Sequence, residues 1–393
     1  MKKHLVLIGA GHVHLLTIRN IALYRARGHQ VTVINSYPYH YHSGMGAGLF
    51  SGFYTPQEIR FNVEQFTVDR GGEFIEDIAT SIDPINRVVH LISGKHVGYD
   101  VVSFNTGSEV DPGTIDTSYF NVFKAKPINN LYKSRCKIMD ALQKKPQKIV
   151  IIGGGPSGVE IACNAWRIAY EIDSKANITL FAKERILHNF PQRVRSLALK
   201  KLNSLGILVE ENTTVVGNTK KALLLENGRS VKFDFALVAT GTKPSSIFRE
   251  SGLRTGESGK LLVNDYLQAV DHPEIFGSGD CICFGVNSHH SIPVHTVQDN
   301  QTLACNLYKK LNGEPLFNFK PRKPRYYILN MGDDTGILNY GYLTFAGKIA
   351  MKIKKRIDEK FTGEFQHSNE LNEFVEWFTG RSHYHVKKPI AGI

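Results

Sequence analysis

Two apolar stretches of strand length break at glycine and continue into segments with helical spacing. The first is HLVLIGAGHVH (residues 4–14), and the second is KIVIIGGGPSGVE (residues 148–160). An apolar run bounded by glycine predicts a buried strand. The turn after it can present backbone N–H groups and the positive end of a helix to a pyrophosphate. The pattern therefore predicts two strand–turn–helix units, each suited to a dinucleotide.

The two halves of the chain share more than this turn. A second apolar run follows each unit, at residues 31–34 and 178–181, and each half closes on a Thr-Gly pair. One glycine turn alone is as often structural as functional, whereas the repeated order is hard to obtain by chance. The first copy departs from the pattern at His14, where a third glycine is usual. We therefore expect its helix and strand to pack less closely there.

The order of elements predicts an α/β protein with two Rossmann-like dinucleotide-binding domains, the second inserted in the first, plus a C-terminal α+β region. The predicted limits are residues 1–122 and 253–325 for the first domain, 123–252 for the inserted domain and 326–393 for the C-terminal region. In the first domain, residues 73–79 and 87–92 are expected to form hairpin strands around the turn at Asp83-Pro84.

A basic helix is predicted at residues 345–361, after strands at 326–329 and 341–344. Its apolar residues recur at steps of four and are Phe345, Ile349, Ile353, Ile357 and Phe361. The basic residues around this stripe are Lys348, Lys352, Lys355 and Arg356. Two interpretations stay open. The helix packs on its own domain with a solvated basic face, or it lies on a membrane among anionic lipid headgroups.

Composition narrows the class of protein. A chain of 393 residues with 42% hydrophobic residues can form two or three cores, and its net charge of +12 favours anionic partners. No nucleic-acid motif accompanies the charge, so nucleic acid is not expected as a partner. No apolar run is long enough to span a bilayer. The five cysteines are scattered, which is typical of reduced thiols in the cytoplasm.

Three further segments support a family resemblance: YPYHYHSGM (residues 37–45), ACNL (304–307) and NGEP (312–315). Together with the glycine turns, they make the chain resemble the two-dinucleotide flavoproteins of the pyridine nucleotide–disulphide oxidoreductase superfamily. Within it, the chain is similar to type II NADH dehydrogenases and sulfide:quinone reductases, and most similar to the branch sometimes fused to selenophosphate synthetase. The resemblance implies FAD in the first domain and NADH or NADPH in the inserted domain.

The resemblance assigns FAD contacts residue by residue. They are Gly9, Gly11, His12, Asn35, His42, Ser43, Ala79, Thr106, Gly107, Gly279 and Asp280. Asn35 replaces the acidic residue that commonly holds the adenosine ribose, although an amide can still hydrogen-bond a diol. Asp280 is expected to accept a hydrogen bond from the ribityl chain. The histidines His12, His14, His40 and His42 are interpreted as proton donors or polar packing, and no metal site is expected.

The corresponding NAD(P)H contacts are Gly153, Gly155, Ser157, Gly158, Lys183, Thr240 and Gly241. At the end of the second strand of this domain, Ala182 stands where a ribose-binding carboxylate is common, and Lys183 follows it. Because the missing acid removes repulsion against a 2′-phosphate and the lysine attracts it, we expect NADPH to be preferred over NADH.

The reaction implied is hydride transfer from nicotinamide to flavin, followed by reduction of an acceptor. The catalytic candidates are Glu160, near the nicotinamide, with Gln298 and His295. Residues 39–45 hold no cysteine pair, which excludes disulphide reduction by the usual route, and missing cysteines disfavour sulfide oxidation. Of the quinone-site motif A-Q-x-A-x-Q only Gln298 remains; His295 is either a proton donor or a structural histidine.

A quinone is therefore the expected acceptor. A soluble reductase of another small or protein acceptor, or a non-catalytic flavin redox sensor, stays open. We expect the protein in the cytoplasm, with attachment to the inner face of the membrane and a homodimer both left open.

Overall fold

The computed structural model describes residues 2–256, 258–284, 296–319 and 326–366, with the backbone alone for residues 296–300. The predicted fold class is confirmed, because two parallel sheets lie one after the other along the chain and the second interrupts the first.

The first part of the chain carries ten strands and five helices. The strands are β1 His4–Ile8, β2 Gln30–Asn35, β3 Tyr39–Tyr41, β4 Arg60–Asn62, β5 Glu73–Glu76, β6 Ala79–Asp83, β7 Val88–Leu91, β8 His96–Gly98, β9 Val101–Phe104 and β10 Glu109–Val110. The helices are α1 His12–Arg19, α2 Ile21–Ala26, α3 Gly46–Ser51, α4 Pro56–Ile59 and α5 Val63–Val68. Strand β1 pairs in parallel with β2 and β9, and β5 extends the sheet beyond β2.

The expected hairpin in this part is only partly correct. Residues 73–76 form β5 of the parallel sheet, because their register continues that of β2. The antiparallel hairpin is instead β6–β7, with β8 as a third strand, and its tight turn spans residues 84–87.

The inserted part contains nine strands and four helices. The strands are β11 Val122–Lys124, β12 Gln147–Ile152, β13 Ala176–Phe181, β14 Leu208–Glu210, β15 Val215–Asn218, β16 Ala222–Leu225, β17 Ser230–Lys232, β18 Phe235–Val238 and β19 Thr242–Lys243. The helices are α6 Asn129–Leu142, α7 Pro156–Glu171, α8 Gln192–Ser204 and α9 Ile247–Glu250. The parallel order is β11-β18-β12-β13-β14. Its central strands are apolar at nearly every position because both faces are covered.

The chain then returns to the first sheet. The next elements are β20 Leu261–Val263, β21 Gln268–Ala269, β22 His272–Gly277, β23 Ile282–Phe284 and α10 Thr296–Asn312. Strand β22 pairs in parallel with β9, which completes an eight-stranded sheet. The two segments that connect the first part to the inserted part pair with each other as the short antiparallel ribbon β10–β19. The exact domain limits given above stay predictions.

The C-terminal region is a three-stranded antiparallel sheet followed by a helix. Its elements are β24 Tyr326–Asn330, β25 Gly336–Tyr340, β26 Leu343–Gly347 and α11 Lys348–Gly363. The predicted helix start was wrong, because Phe345 lies in β26 and pairs with Leu338 of β25. Of the helices that the structure describes, none combines the length and the apolar composition that crossing a bilayer requires.

Candidate active site

The first glycine turn links β1 to α1 and packs against the end of β9. Gly9 has φ +80°, a conformation that favours glycine, and a Cβ on Gly11 would lie 2.2 Å from Oδ1 of Asn105. The side chain of Asn105 accepts a hydrogen bond from the N–H of Val13 (3.1 Å) and donates one to the carbonyl of Ser278 (2.9 Å). Asn105 thus ties the turn to the end of β22.

His14 occupies the place of the usual third glycine. Its ring is fully buried, with Nδ1 2.5 Å from the carbonyl oxygen of Gly9 and Nε2 2.8 Å from Oγ of Ser103. Burial lowers the pKa of His14 to about 4, although its bond to Gly9 acts in the opposite direction. The imidazole is therefore a neutral spacer that hydrogen-bonds the strands beneath α1.

The second glycine turn has the close packing that the complete motif predicts. A Cβ on Gly158 would lie 1.8 Å from the carbonyl oxygen of Gly153, so α7 packs directly on the turn. A Cβ on Gly155 or Gly241 would meet no atom within 4 Å. These two glycines border a cleft of about 560 Å³, a volume suited to a small ligand, to which Ser157 also contributes.

The far end of this cleft lies beyond β13. Ala182 is buried, and a Cβ on Gly154 would lie 2.6 Å from the Cβ of Ala182. Lys183 and Arg185 are exposed at the rim, together with His188. The rim therefore presents the positive charges of Lys183 and Arg185, with the exposed carboxylate of Glu184 between them, where the sequence predicts the adenosine ribose.

Helix α11 crosses from the C-terminal sheet to the first glycine turn. Its Lys354 donates to the carbonyl of Gly44 (2.8 Å) and to the carboxylate of Asp358 (2.9 Å), which also accepts from the hydroxyl of Tyr54 (3.1 Å). The ring of Phe361 lies 5.2 Å from that of His12. Burial raises the pKa of Asp358, although Lys354 opposes the shift.

Glu160, on the second turn of α7, faces the same helix. Its Oε1 accepts the N–H of Asn330 at 2.8 Å. Burial raises the pKa of Glu160 to about 7, against the opposing effects of Lys354 and the Asn330 N–H. Near neutral pH this carboxyl group is therefore present in both protonation states, as a proton-exchanging group requires.

Three histidine rings form a row beside Asp358. Nε2 of His40 lies 3.2 Å from Nδ1 of His12, and Nε2 of His12 lies 2.5 Å from Nδ1 of His42. Nε2 of His42 is 3.9 Å from Oδ1 of Asp358. Burial lowers the pKa of all three rings, that of His42 to about 3. Among the described residues no group of side chains has the arrangement of a metal site.

Lys126 and Asp280 form an ion pair with 3.2 Å between Nζ and Oδ2. The hydroxyl of Ser108 donates to the same carboxylate oxygen at 3.1 Å. Partial burial acts to raise the pKa of Asp280, but Lys126 and Ser108 outweigh it and lower the pKa. Asp280 is therefore ionised at neutral pH and open to solvent on one side.

Comparison with known proteins identifies the family. The model of the pyridine nucleotide-disulphide oxidoreductases matches residues 3–301. The chain belongs to this family. It is 25% identical to the oxidoreductase ptaL of Pestalotiopsis fici over 378 residues, which cover 90% of this chain and 96% of that one.

Two further similarities span nearly the whole chain. A type II NADH:quinone oxidoreductase of Staphylococcus epidermidis is 25% identical over 386 residues, covering 91% of this chain and 95% of that one. The solved sulfide:quinone oxidoreductase of Aquifex aeolicus superposes with a TM-score of 0.74 at 19% identity, covering 96% of each chain. The branch fused to selenophosphate synthetase stays a prediction.

As a member of this family, the oxidoreductase uses FAD together with NADH or NADPH. The described residues fit both groups. Helices α1 and α7 each begin after a glycine, without a side-chain cap and without an acidic residue in the first turn, so their N-terminal ends suit a phosphate. At the first site, the buried hydroxyl of Ser278 has no hydrogen-bond partner within the described residues.

The remaining FAD candidates of the oxidoreductase lie along one edge of the first sheet. Asn35 ends β2, where its Oδ1 accepts the N–H of Ala10 and its Nδ2 donates to the carbonyl of Tyr37. Both the oxygen and the nitrogen of the Asn35 amide thus already have a hydrogen-bond partner within the protein. Ala79 begins β6 and Ser43 begins a 3₁₀ turn. Exposed Thr106 precedes Gly107, which has φ +68°.

The close cysteine pair and two of the catalytic candidates of the oxidoreductase remain to be located. Cys281 directly follows the predicted contact Asp280 in the 3₁₀ turn 279–281, which leads into β23. Burial raises the pKa of both Cys281 and Cys283, so the two thiols stay protonated. His295 lies outside the described residues, and Gln298 is described by its backbone in α10 alone.

The structure exposes the three isoleucines of the predicted apolar stripe of α11. Ile349, Ile353 and Ile357 are 67%, 36% and 37% exposed, whereas Phe361 at the end of the stripe packs against His12 and His42. The buried side of the helix carries Lys354 and Asp358, together with Ala350, Met351 and Thr362. A polar pair one turn apart on a helix usually indicates a solvated face, so no local pattern places Lys354 and Asp358 inside.

Asn105, Lys126 and Tyr54 were also missed. Asn105 directly precedes the predicted Thr-Gly closure, which is the one sequence signal that points to it. Lys126 and Tyr54 belong to no recognisable sequence motif. They lie at the site because separate segments of the chain pack together there.

Proposed function

We propose that this oxidoreductase takes hydride from NAD(P)H through FAD and delivers two electrons to a quinone. The observation that carries the proposal is the polar cluster beneath α11. Glu160 follows the second glycine turn, His12 follows the first, and Lys354 with Asp358 lies between them. One cluster thus joins the two places where the nucleotides are expected. The names of the relatives support a quinone as the acceptor.

Within this proposal the first domain holds FAD. The end of α1 after Gly9 and Gly11 binds the pyrophosphate, and Asp280, kept ionised by Lys126, accepts a hydrogen bond from the ribityl hydroxyls. FAD, when bound, supplies the centre that accepts hydride and returns two electrons. The protein's own part is to orient the groups and to exclude water from beneath α11.

The inserted domain holds the nicotinamide nucleotide. The cleft between Gly155 and Gly241 receives the pyrophosphate, with Ser157 at the start of α7. Lys183 and Arg185 at the rim favour a 2′-phosphate, since together they outnumber the carboxylate of Glu184 and buried Ala182 adds no charge. We therefore propose a preference for NADPH.

The acceptor reaches the cluster from the side of α11. Its exposed isoleucines and its lysines form one surface that combines apolar and basic side chains, as in helices that bind anionic membranes. A quinone dissolved in lipid would meet Glu160 and Lys354 from there. Peripheral attachment to the cytoplasmic face of a membrane belongs to the proposal, and a homodimer stays a prediction.

Anaerobic stopped-flow spectroscopy of the purified yellow protein tests the function. We expect NADPH to bleach the flavin within the turnover time and menadione to restore the colour. A mixture without menadione is the control for spontaneous reoxidation. Bleaching by neither nicotinamide would refute the dehydrogenase. Reoxidation by ferricyanide or a protein acceptor but not by quinones would favour a soluble reductase of another acceptor.

A further inference from the structure

The row of histidines has the geometry of a one-dimensional hydrogen-bond chain. Each neutral imidazole has one N–H donor and one acceptor nitrogen, and His12 at the centre uses both of its nitrogens. Its neighbours His40 and His42 then fix the direction of the row. If Nε2–H of His40 donates to His12, then Nε2–H of His12 donates to His42.

Such a row has two equivalent states. Adding a proton to the free nitrogen of His40 and removing one from the far nitrogen of His42 reverses every hydrogen bond in it. One proton thus crosses the row although no single proton travels its length. The adjacent phenylalanine rings of Phe61 and Phe361 pack against the row, and neither offers a competing hydrogen-bond partner.

The row ends at α11. Nε2 of His42 lies 3.9 Å from Asp358, whose other oxygen bonds Lys354 and Tyr54. That gap is longer than a hydrogen bond, so transfer across it needs a slight approach of the side chains or one bridging water. The opposite end is His40 on the short ribbon β3–β4, and this residue is itself partly exposed.

We propose that His40, His12 and His42 conduct a proton from the β3–β4 edge to Asp358 beneath α11. This inference rests on the proposed function, because quinone reduction consumes a proton: NAD(P)H + H⁺ + quinone gives NAD(P)⁺ + quinol. Hydride supplies two electrons and one hydrogen, and the second hydrogen of the quinol comes from water. The row of histidines delivers this proton to the side of the site that α11 covers.

The environment suits transfer rather than storage of a proton. Burial holds the three imidazoles neutral, so a proton entering the row does not remain on it. The charged groups around the row are Lys126, Lys354, Asp358 and Glu160. The two lysines oppose a resident positive charge, whereas Asp358 attracts a proton at the end of the row.

The first test separates the proton-consuming step from hydride transfer in the holoenzyme. In His40→Gln the amide keeps a donor and an acceptor but cannot pass a proton. We expect reoxidation of the flavin by menadione to be at least tenfold slower than in the wild type and to show a larger solvent isotope effect. Reduction of the flavin by NADPH should be slowed far less. Added imidazole should restore reoxidation in His40→Gly.

The control is His90→Gln. His90 and His96 also contact each other, with 2.9 Å between their Nδ1 atoms, but on an exposed hairpin away from α11. Both half-reactions should match the wild type in this variant. Equal slowing of both half-reactions in His40→Gln, or no rescue by imidazole, would assign His40 a structural role and overturn the proposal.

A second test does not depend on activity. In protein labelled with ¹⁵N-histidine, His40→Phe should shift the ring nitrogens of His42, which His40 does not contact, because the direction of the row is shared. A change confined to His12 would contradict a coupled row. If the wild type is not reduced by either nicotinamide, the proposed function fails while this measurement still decides the hydrogen-bond coupling.

Discussion

Lys354 and Asp358, one turn apart on α11, point into the protein and form an ion pair with 2.9 Å between Nζ and Oδ2, both side chains being less than 10% exposed. The next pair along the helix, Lys355 and Glu359, has the same spacing but is more than half exposed. One helix thus carries a buried and a solvated version of the same interaction.

This contrast predicts a difference in stability. Lys354→Met leaves the carboxylate of Asp358 buried without its cation, which costs on the order of 3 kcal/mol. Lys355→Met should cost about 0.5 kcal/mol or less, because water solvates the remaining charge. Urea unfolding of both variants measures the difference. Equal losses would mean that α11 is not closed over Asp358 in solution.

The raised pKa of Glu160 predicts a pH-dependent stability. Folding raises this pKa from about 4.5 to about 7, so the folded state holds the proton more tightly. The resulting stabilisation is complete below pH 4.5 and is lost as the pH rises through 7. Glu160→Gln should remove this part of the pH dependence. Melting temperatures of the two proteins between pH 4.5 and 8 measure it, and parallel curves would contradict the shift.

Two glycines of the same turn should respond differently to alanine. Gly155 has φ −74° and open space for a Cβ, so Gly155→Ala keeps the fold and obstructs only the pyrophosphate. In Gly158→Ala the new Cβ would collide with the carbonyl of Gly153 and separate α7 from β12.

We therefore expect Gly155→Ala to retain FAD and its melting temperature while its affinity for NAD(P)H falls at least tenfold. Gly158→Ala should lose several degrees of melting temperature. Calorimetry and titration of the nucleotide distinguish the two. Unchanged nucleotide affinity in Gly155→Ala would place the pyrophosphate elsewhere.

Lys183 is predicted to select NADPH. Lys183→Glu replaces attraction by repulsion of the 2′-phosphate, so the dissociation constant for NADPH should rise about tenfold and that for NADH should change less than threefold. Lys232→Glu, an exposed lysine on β17, controls for net charge. A tighter wild-type affinity for NADH than for NADPH would contradict the assignment.

The exposed isoleucines predict binding to anionic vesicles. Ile353→Glu introduces a charge at the centre of the apolar stripe and should reduce co-sedimentation with phosphatidylglycerol vesicles several-fold. Ile85→Glu, on the exposed β6–β7 turn, is the matched control. If wild-type protein stays in the supernatant at low salt, the surface of α11 has another partner.

Local patterns in the sequence sufficed for several features. Glycine turns after apolar runs predicted both strand–turn–helix units and the insertion, because β1 and β12 need only backbone and neighbouring residues to form. Alanine followed by lysine after β13 is a local signal of the same kind, and the prediction of the charge at the ribose site rests on it. These features depend on residues close together in the chain.

The sequence by itself determined the two strand–turn–helix units and their order, because hydrophobic period and glycine geometry are local properties. Only the tertiary structure decided which face of α11 is buried and which side chains meet beneath it. Lys354 reaches Gly44 across 310 positions, and Asn330 reaches Glu160 across 170. Such contacts depend on how separate elements pack, and a helical pattern that carries both apolar and charged faces does not specify which of them turns inward.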